Sequence, residues 1–146
     1  MKHKTRKTIA ALLGVFLLPV ALAWLILTQG WFTPGVKAHG EWVQGQIGQN
    51  SQWRLVLPVT GDCSFCQQAA PLLENIDTAL GRDSTRVSVV TLPAGSTLEA
   101  GFVYIADPPG MLILRYPLSG DEVTDRMTGK ALLSDLRRLL KFSRAG

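Results

Sequence analysis

Ile9 to Leu27 is a run of nineteen residues without a charge, and very few structures can accept such a run. It is about long enough to cross the hydrocarbon core of a bilayer as a helix. Lys2, Lys4, Arg6 and Lys7 precede it, and basic residues on one flank hold that flank in the cytoplasm. The sequence therefore predicts a cytoplasmic N-terminus over residues 1–8, a transmembrane anchor over 9–28 and export of everything after it. A cleaved signal peptide is the competing reading, because Ala21-Leu22-Ala23 resembles a small-residue cleavage site. Against cleavage, Trp24-Leu25-Ile26-Leu27 continues the apolar run and Trp31-Phe32 supplies aromatic residues for the far interface. Gly14 and Pro19 are tolerated in membrane helices. The implied location is a bacterial inner membrane, crossed once, with a soluble domain in the periplasm.

Charge divides at the same place. All four basic residues of 1–28 are unopposed, whereas residues 29–146 hold eleven Lys or Arg and eleven Asp or Glu. The exported part is formally neutral, so the basic pI belongs to the N-terminus. Nucleic-acid binding has no support, since it needs a basic surface on the folded domain. With 146 residues and no internal repeat, there is room for one domain besides the anchor. Gly30, Gly35, Gly40, Gly45 and Gly48 with Pro34 mark residues 29–50 as a linker, with at most a short strand at Glu41-Trp42-Val43. His39 lies in this linker; it could assist a metal, but an exposed linker histidine is more often unoccupied. The domain is expected over 51–146.

Cys63-Ser64-Phe65-Cys66 contains the only two cysteines of the chain. The preceding run Trp53 to Val59 reads as a buried strand, Thr60-Gly61-Asp62 as a turn, and Gln67 to Leu80 as a helix. Both sulfurs then sit where a loop enters a helix. Unpaired N–H groups and the helix dipole favour an anion there and lower the pKa of Cys63, the more exposed sulfur. The thiolate is the attacking species in disulfide exchange, and two cysteines at this spacing can close a disulfide. Structural zinc needs about four ligands, and His3 and His39 both lie outside the segment expected to fold. A purely structural disulfide would close a very small loop and constrain the unfolded chain little. Disulfide exchange and copper(I) binding by two soft thiolates remain the leading readings, beside a structural disulfide and two inert thiols.

Beyond the cysteine helix, Arg86 to Val90 is a strand candidate and Leu92 to Ala100 a loop. Gly101 to Ala106 and Met111 to Tyr116 are strands joined by the turn Asp107-Pro108-Pro109-Gly110, which predicts an antiparallel hairpin. A last helix spans about Gly129 to Phe142, with Leu132, Leu133, Leu136, Leu139 and Leu140 on one face and Arg137, Arg138 and Lys141 off it. This order predicts an α/β domain: a parallel strand–helix–strand unit plus an antiparallel hairpin, forming a mixed sheet with flanking helices.

The segment Cys63 to Ile76, with Pro71 five residues after the second cysteine, resembles the active-site helix of the thioredoxin-like superfamily, and the resemblance extends over roughly residues 50–146. The stretches Asp107 to Tyr116 and Asp135 to Lys141 are similar to Sco-type copper chaperones and to small anchored thioredoxin-like proteins linked to cytochrome c oxidase assembly. The resemblance implies a thioredoxin-like fold, an anchored periplasmic thiol–disulfide oxidoreductase using Cys63 and Cys66, and a cysteine-bearing periplasmic substrate such as an oxidase subunit or assembly factor. It also implies a membrane thiol reductase as electron source. The alternatives are copper(I) binding or transfer by the same two cysteines, and a non-catalytic assembly partner. Three features depart from the thioredoxin pattern: Asp62 replaces the usual aromatic residue, Leu57 stands where a buried acid assists proton transfer, and Thr97 to Gly101 lacks the proline found before the hairpin. Sco-type chaperones use a longer cysteine spacer and a later histidine, which this chain lacks after His39.

Overall fold

A computed structural model describes residues 2–30, 37–61 and 64–144, the side chains of Lys2 and 64–66 excepted. It divides into two compact units, Met1–Lys37 and Ala38–Gly146.

The first unit contains α1, Lys2–Thr28. At 1.5 Å per residue it is about 40 Å long, and it is long and apolar enough to cross a membrane. Its described side chains are all exposed. The helix begins among the basic residues, ahead of the apolar run, because Lys2 to Lys7 contains no helix breaker and the nucleus formed by the apolar run propagates into it.

The second unit is a mixed sheet of β1 (Glu41–Trp42), β2 (Trp53–Val59), β3 (Val87–Pro93), β4 (Phe102–Ala106) and β5 (Leu112–Pro117). The strands lie in the order β1-β5-β4-β2-β3. β2 and β3 are parallel, with Leu55 beside Val89, while β2 and β4 are antiparallel, with Leu55 opposite Ile105. The helix α2, Ser64–Leu80, and a 3-10 turn, Gly81–Arg86, connect the parallel pair. β4 and β5 form the expected hairpin, and α3, Glu122–Phe142, completes the domain.

Alternation along the strands gives the sheet two apolar faces. On one, Leu55, Leu57, Val103, Ile105 and Leu114 pack against Leu73 and Ile76 of α2 and Leu132, Leu136 and Leu140 of α3. On the other, Val56, Tyr104, Ala106 and Leu112 are covered by Leu98, Val43 and Ile47. Residues 38–50 thus pack on the domain, β1 being the short strand expected there. Arg115 fastens this edge: it reaches Glu41 and Glu99, each at 2.8 Å, and lies 4.5 Å above the Phe102 ring.

In the second unit three boundaries differ from the sequence expectation by three residues or more. α2 starts at Ser64 rather than Gln67, so Cys66 is inside the helix. β3 runs on to Pro93 because parallel pairing with β2 continues to Val59. α3 starts at Glu122, one turn and more before Gly129, because Asp121 caps it by accepting the Thr124 N–H at 2.9 Å. Gly129 thus lies inside the helix rather than at its start; a Cβ there would meet Leu72 Cδ1 at 2.5 Å, so the glycine lets α3 approach α2 closely.

Candidate functional site

β2, which lies between β3 and β4, ends at Val59, and α2 begins at Ser64. Cys63 lies outside the described residues, and of Cys66 the backbone alone is described, as the third residue of α2. Pro71 stands inside the same helix, where it removes the N–H that would bond to the Gln67 carbonyl. Beside this first part of α2 is a cleft of about 440 Å³ lined by Gln67, Pro71 and Leu72 and by Glu122, Asp125 and Arg126 of α3. Asp125 is buried but fully engaged: Oδ1 accepts from Ser119 N at 2.8 Å and Ser119 Oγ at 2.9 Å, and Oδ2 accepts from Gly120 N at 3.1 Å. It is therefore a structural cap over the turn into α3, and the cleft carries no free buried acid.

Leu57, where the thioredoxin resemblance would expect a buried acid, is 3% exposed and belongs to the apolar core. Asp62 lies outside the described residues. The loop 94–101 is held by Leu98, which packs on the second sheet face, and by Gly95 N–H donating to Leu98 O at 2.8 Å. Glu99 N–H donates to the Tyr104 hydroxyl at 2.9 Å.

His39 is no free linker residue. Its backbone N–H donates to Asp135 Oδ2 at 2.6 Å, and its ring Nδ1 lies 3.1 Å from Asp135 Oδ1. Gly40 N–H and the Tyr116 hydroxyl donate to the same Oδ2 at 3.1 and 2.8 Å. Asp135 is 3% exposed. Burial raises its pKa, but the hydrogen bonds from His39, Tyr116 and Gly40 outweigh burial and hold the carboxyl below its ordinary value. Burial, reinforced by the neighbouring carboxylate, pushes the Tyr116 phenol up. Sequence reasoning missed this cluster. The available signal was Asp135 itself, three residues after Leu132 and next to Leu136, an acid set on the buried stripe of a helix.

Among the described residues, no three His, Cys, Asp or Glu side chains converge in a way that could hold a metal ion. The cysteine pair falls outside that statement. No protein-family model, curated protein or solved structure matches the chain.

Proposed function

We propose that this protein is a membrane-anchored thiol–disulfide oxidoreductase whose working sulfurs are Cys63 and Cys66. One observation carries the proposal: α2 begins at Ser64, so Cys66 stands in the first turn of a helix that follows a central strand of the sheet. A helix N-terminus stabilises a thiolate there. The parallel strand–helix–strand unit followed by a hairpin and a helix is the arrangement a thioredoxin-like fold requires, and it supports that assignment for residues 38–146.

The reaction follows from exchange chemistry. The Cys63 thiolate attacks a partner disulfide, forming a mixed disulfide and releasing one partner thiolate. Cys66, deprotonated in turn, attacks Cys63 Sγ and releases the second partner thiolate. Two electrons have passed to the partner, and Cys63–Cys66 is now the disulfide. A membrane thiol reductase restores the dithiol. The partner is a cysteine-bearing periplasmic protein, and by resemblance a subunit or assembly factor of cytochrome c oxidase. α1 supplies the anchor, with its basic end in the cytoplasm and the domain in the periplasm.

The test is a glutathione redox titration of the metal-free full chain in detergent, read by alkylation and intact mass. A reversible two-electron transition between about −270 and −120 mV is expected. With Cys66→Ala, a partner should be trapped as a mixed disulfide on Cys63. A pair that stays unpaired throughout would favour copper(I) binding by the two thiolates, which copper(I) titration then measures directly. A disulfide that resists reduction would favour a non-catalytic assembly partner, the reading that the apolar Leu57 supports.

A further inference from the structure

β3 is the last strand of the sheet, and among the described residues nothing pairs with its outer edge. Ala94 N–H bonds to Val59 O at 2.9 Å. In a parallel ladder alternate residues bond inward, so Val87, Val89 and Thr91 direct their N–H and C=O groups outward. Residues 87–92, Val-Ser-Val-Val-Thr-Leu, contain no charge, and the one proline of β3, Pro93, stands at its last position. Proteins usually protect an open edge with such residues, and an unprotected β-branched edge is a template for another strand.

The helical face of the same edge is also incomplete. α2 covers Leu57 but leaves Val89 44% exposed. Between β3 and α2 runs a mainly apolar groove of about 530 Å³, with Leu57, Val59, Leu73 and Val89 along its floor and Glu74 and Asp77 on its rim. Both acids are exposed and, among the described residues, neither has a salt-bridge partner. An open strand edge beside a strand–helix groove is the geometry of β-strand addition. Main-chain hydrogen bonds give affinity, and alternate side chains entering the groove give specificity.

We infer that β3 and this groove bind an extended segment of another polypeptide, apolar and basic at alternate groove-facing positions. A second copy of this chain fits less well. In an antiparallel pairing of two β3 strands both α2 helices fall on one face of the joined sheet, and the Glu74 and Asp77 pairs confront each other. A basic segment converts the same acids into attraction. The inference rests on the edge and the groove, and stands or falls separately from the chemistry of the cysteines.

The test uses the full chain in neutral detergent and two short fluorescent peptides. One places valine and lysine alternately at groove-facing positions with threonine between them; the other has glutamate for lysine. Anisotropy should show saturable binding of the lysine peptide, at least about tenfold tighter than the glutamate peptide. Glu74→Lys with Asp77→Lys should invert that preference, and these exposed substitutions leave the core untouched. Val89→Pro, which removes one outward N–H and no bond to β2, should abolish binding of both peptides while circular dichroism shows the fold retained. Equal binding of the two peptides, no saturation, or indifference to the charge reversal would overturn the inference. So would a dimer in sedimentation that Val89→Pro dissociates, because the edge would then belong to a second copy.

Discussion

The hydroxyl of Tyr116 donates to Asp135 Oδ2 at 2.8 Å, joining the end of β5 to the middle of α3 in the interior of the domain. The same oxygen receives the backbone N–H groups of His39 and Gly40. One buried carboxylate thus holds a strand, a helix and the segment entering β1. Gly40 takes part because it has no side chain: a Cβ there would come within 2.5 Å of the Tyr116 ring.

Removing the carboxylate strands several donors at once. Asp135→Ala is expected to cost about 3 kcal/mol or more, since buried polar groups lose their acceptor together. Tyr116→Phe should cost about 1–2 kcal/mol, because His39 and Gly40 still satisfy Asp135. Urea denaturation of the two single variants and the double variant measures this, with a coupling energy well above zero expected from the cycle.

The cluster also sets limits of pH. Asp135 has a folded pKa below its unfolded value, which is about 3.9. Its contribution is complete above that value and declines as pH falls from about 4 towards the folded pKa. Tyr116 behaves oppositely. Its folded pKa lies above the unfolded value of about 10, so its contribution is complete below about pH 10 and declines above it. Denaturation midpoints against pH should show both limbs; Asp135→Asn should flatten the acid one and Tyr116→Phe the alkaline one.

Gly110 is fixed by its backbone. Its φ is 101°, and a Cβ would overlap the Ile47 carbonyl oxygen. Asp107 Oδ1 holds the turn by accepting from Gly110 N at 2.9 Å and Met111 N at 2.7 Å. Gly110→Ala should destabilise the domain by at least about 2 kcal/mol, combining the backbone penalty with displacement of residues 47–48. Asp107→Ala should cost about 1 kcal/mol, and thermal melts of the two variants rank them.

Arg54 predicts a change in the other direction. It is 6% exposed on β2, and its Nε and Nη2 are buried with no hydrogen-bond partner among the described residues. A buried guanidinium without an acid is costly. Arg54→Met keeps much of the side-chain volume and should raise stability by about 1–3 kcal/mol, seen as a higher denaturation midpoint. A lower midpoint would mean that the guanidinium has a stabilising role in the intact protein.

Elements dictated by local chemistry were legible in the sequence. The β-branched and apolar runs at 53–59 and 102–106 and the Asp-Pro-Pro-Gly turn became β2, β4 and the hairpin. The leucine stripe of α3 was legible for the same reason, since its period matches the face it buries. The first turns of α3 were not: Val123 and Met127 are exposed, so that part lacks an apolar stripe, and Gly129, where the sequence reading begins the helix, is a point of close packing inside it. The strap of residues 38–50 was illegible because what holds it is distant. His39 and Asp135 are 96 residues apart, and no local pattern in a glycine-rich segment announces such a partner. The strand before Cys63 and the helix that holds Cys66 were foreseen from sequence, with α2 beginning three residues earlier than expected.

That separation has a consequence for how the molecule is made. β1 pairs with β5 through residues 74 positions apart, and His39 waits for a carboxylate on the final helix. A chain synthesised from its N-terminus must therefore make residue 115 before its first strand can pair, and residue 135 before His39 meets its carboxylate. Until then β1 and the segment entering it remain without their partners. Completion is delayed by long-range pairing, and the last helix acts as the clasp that ends that delay.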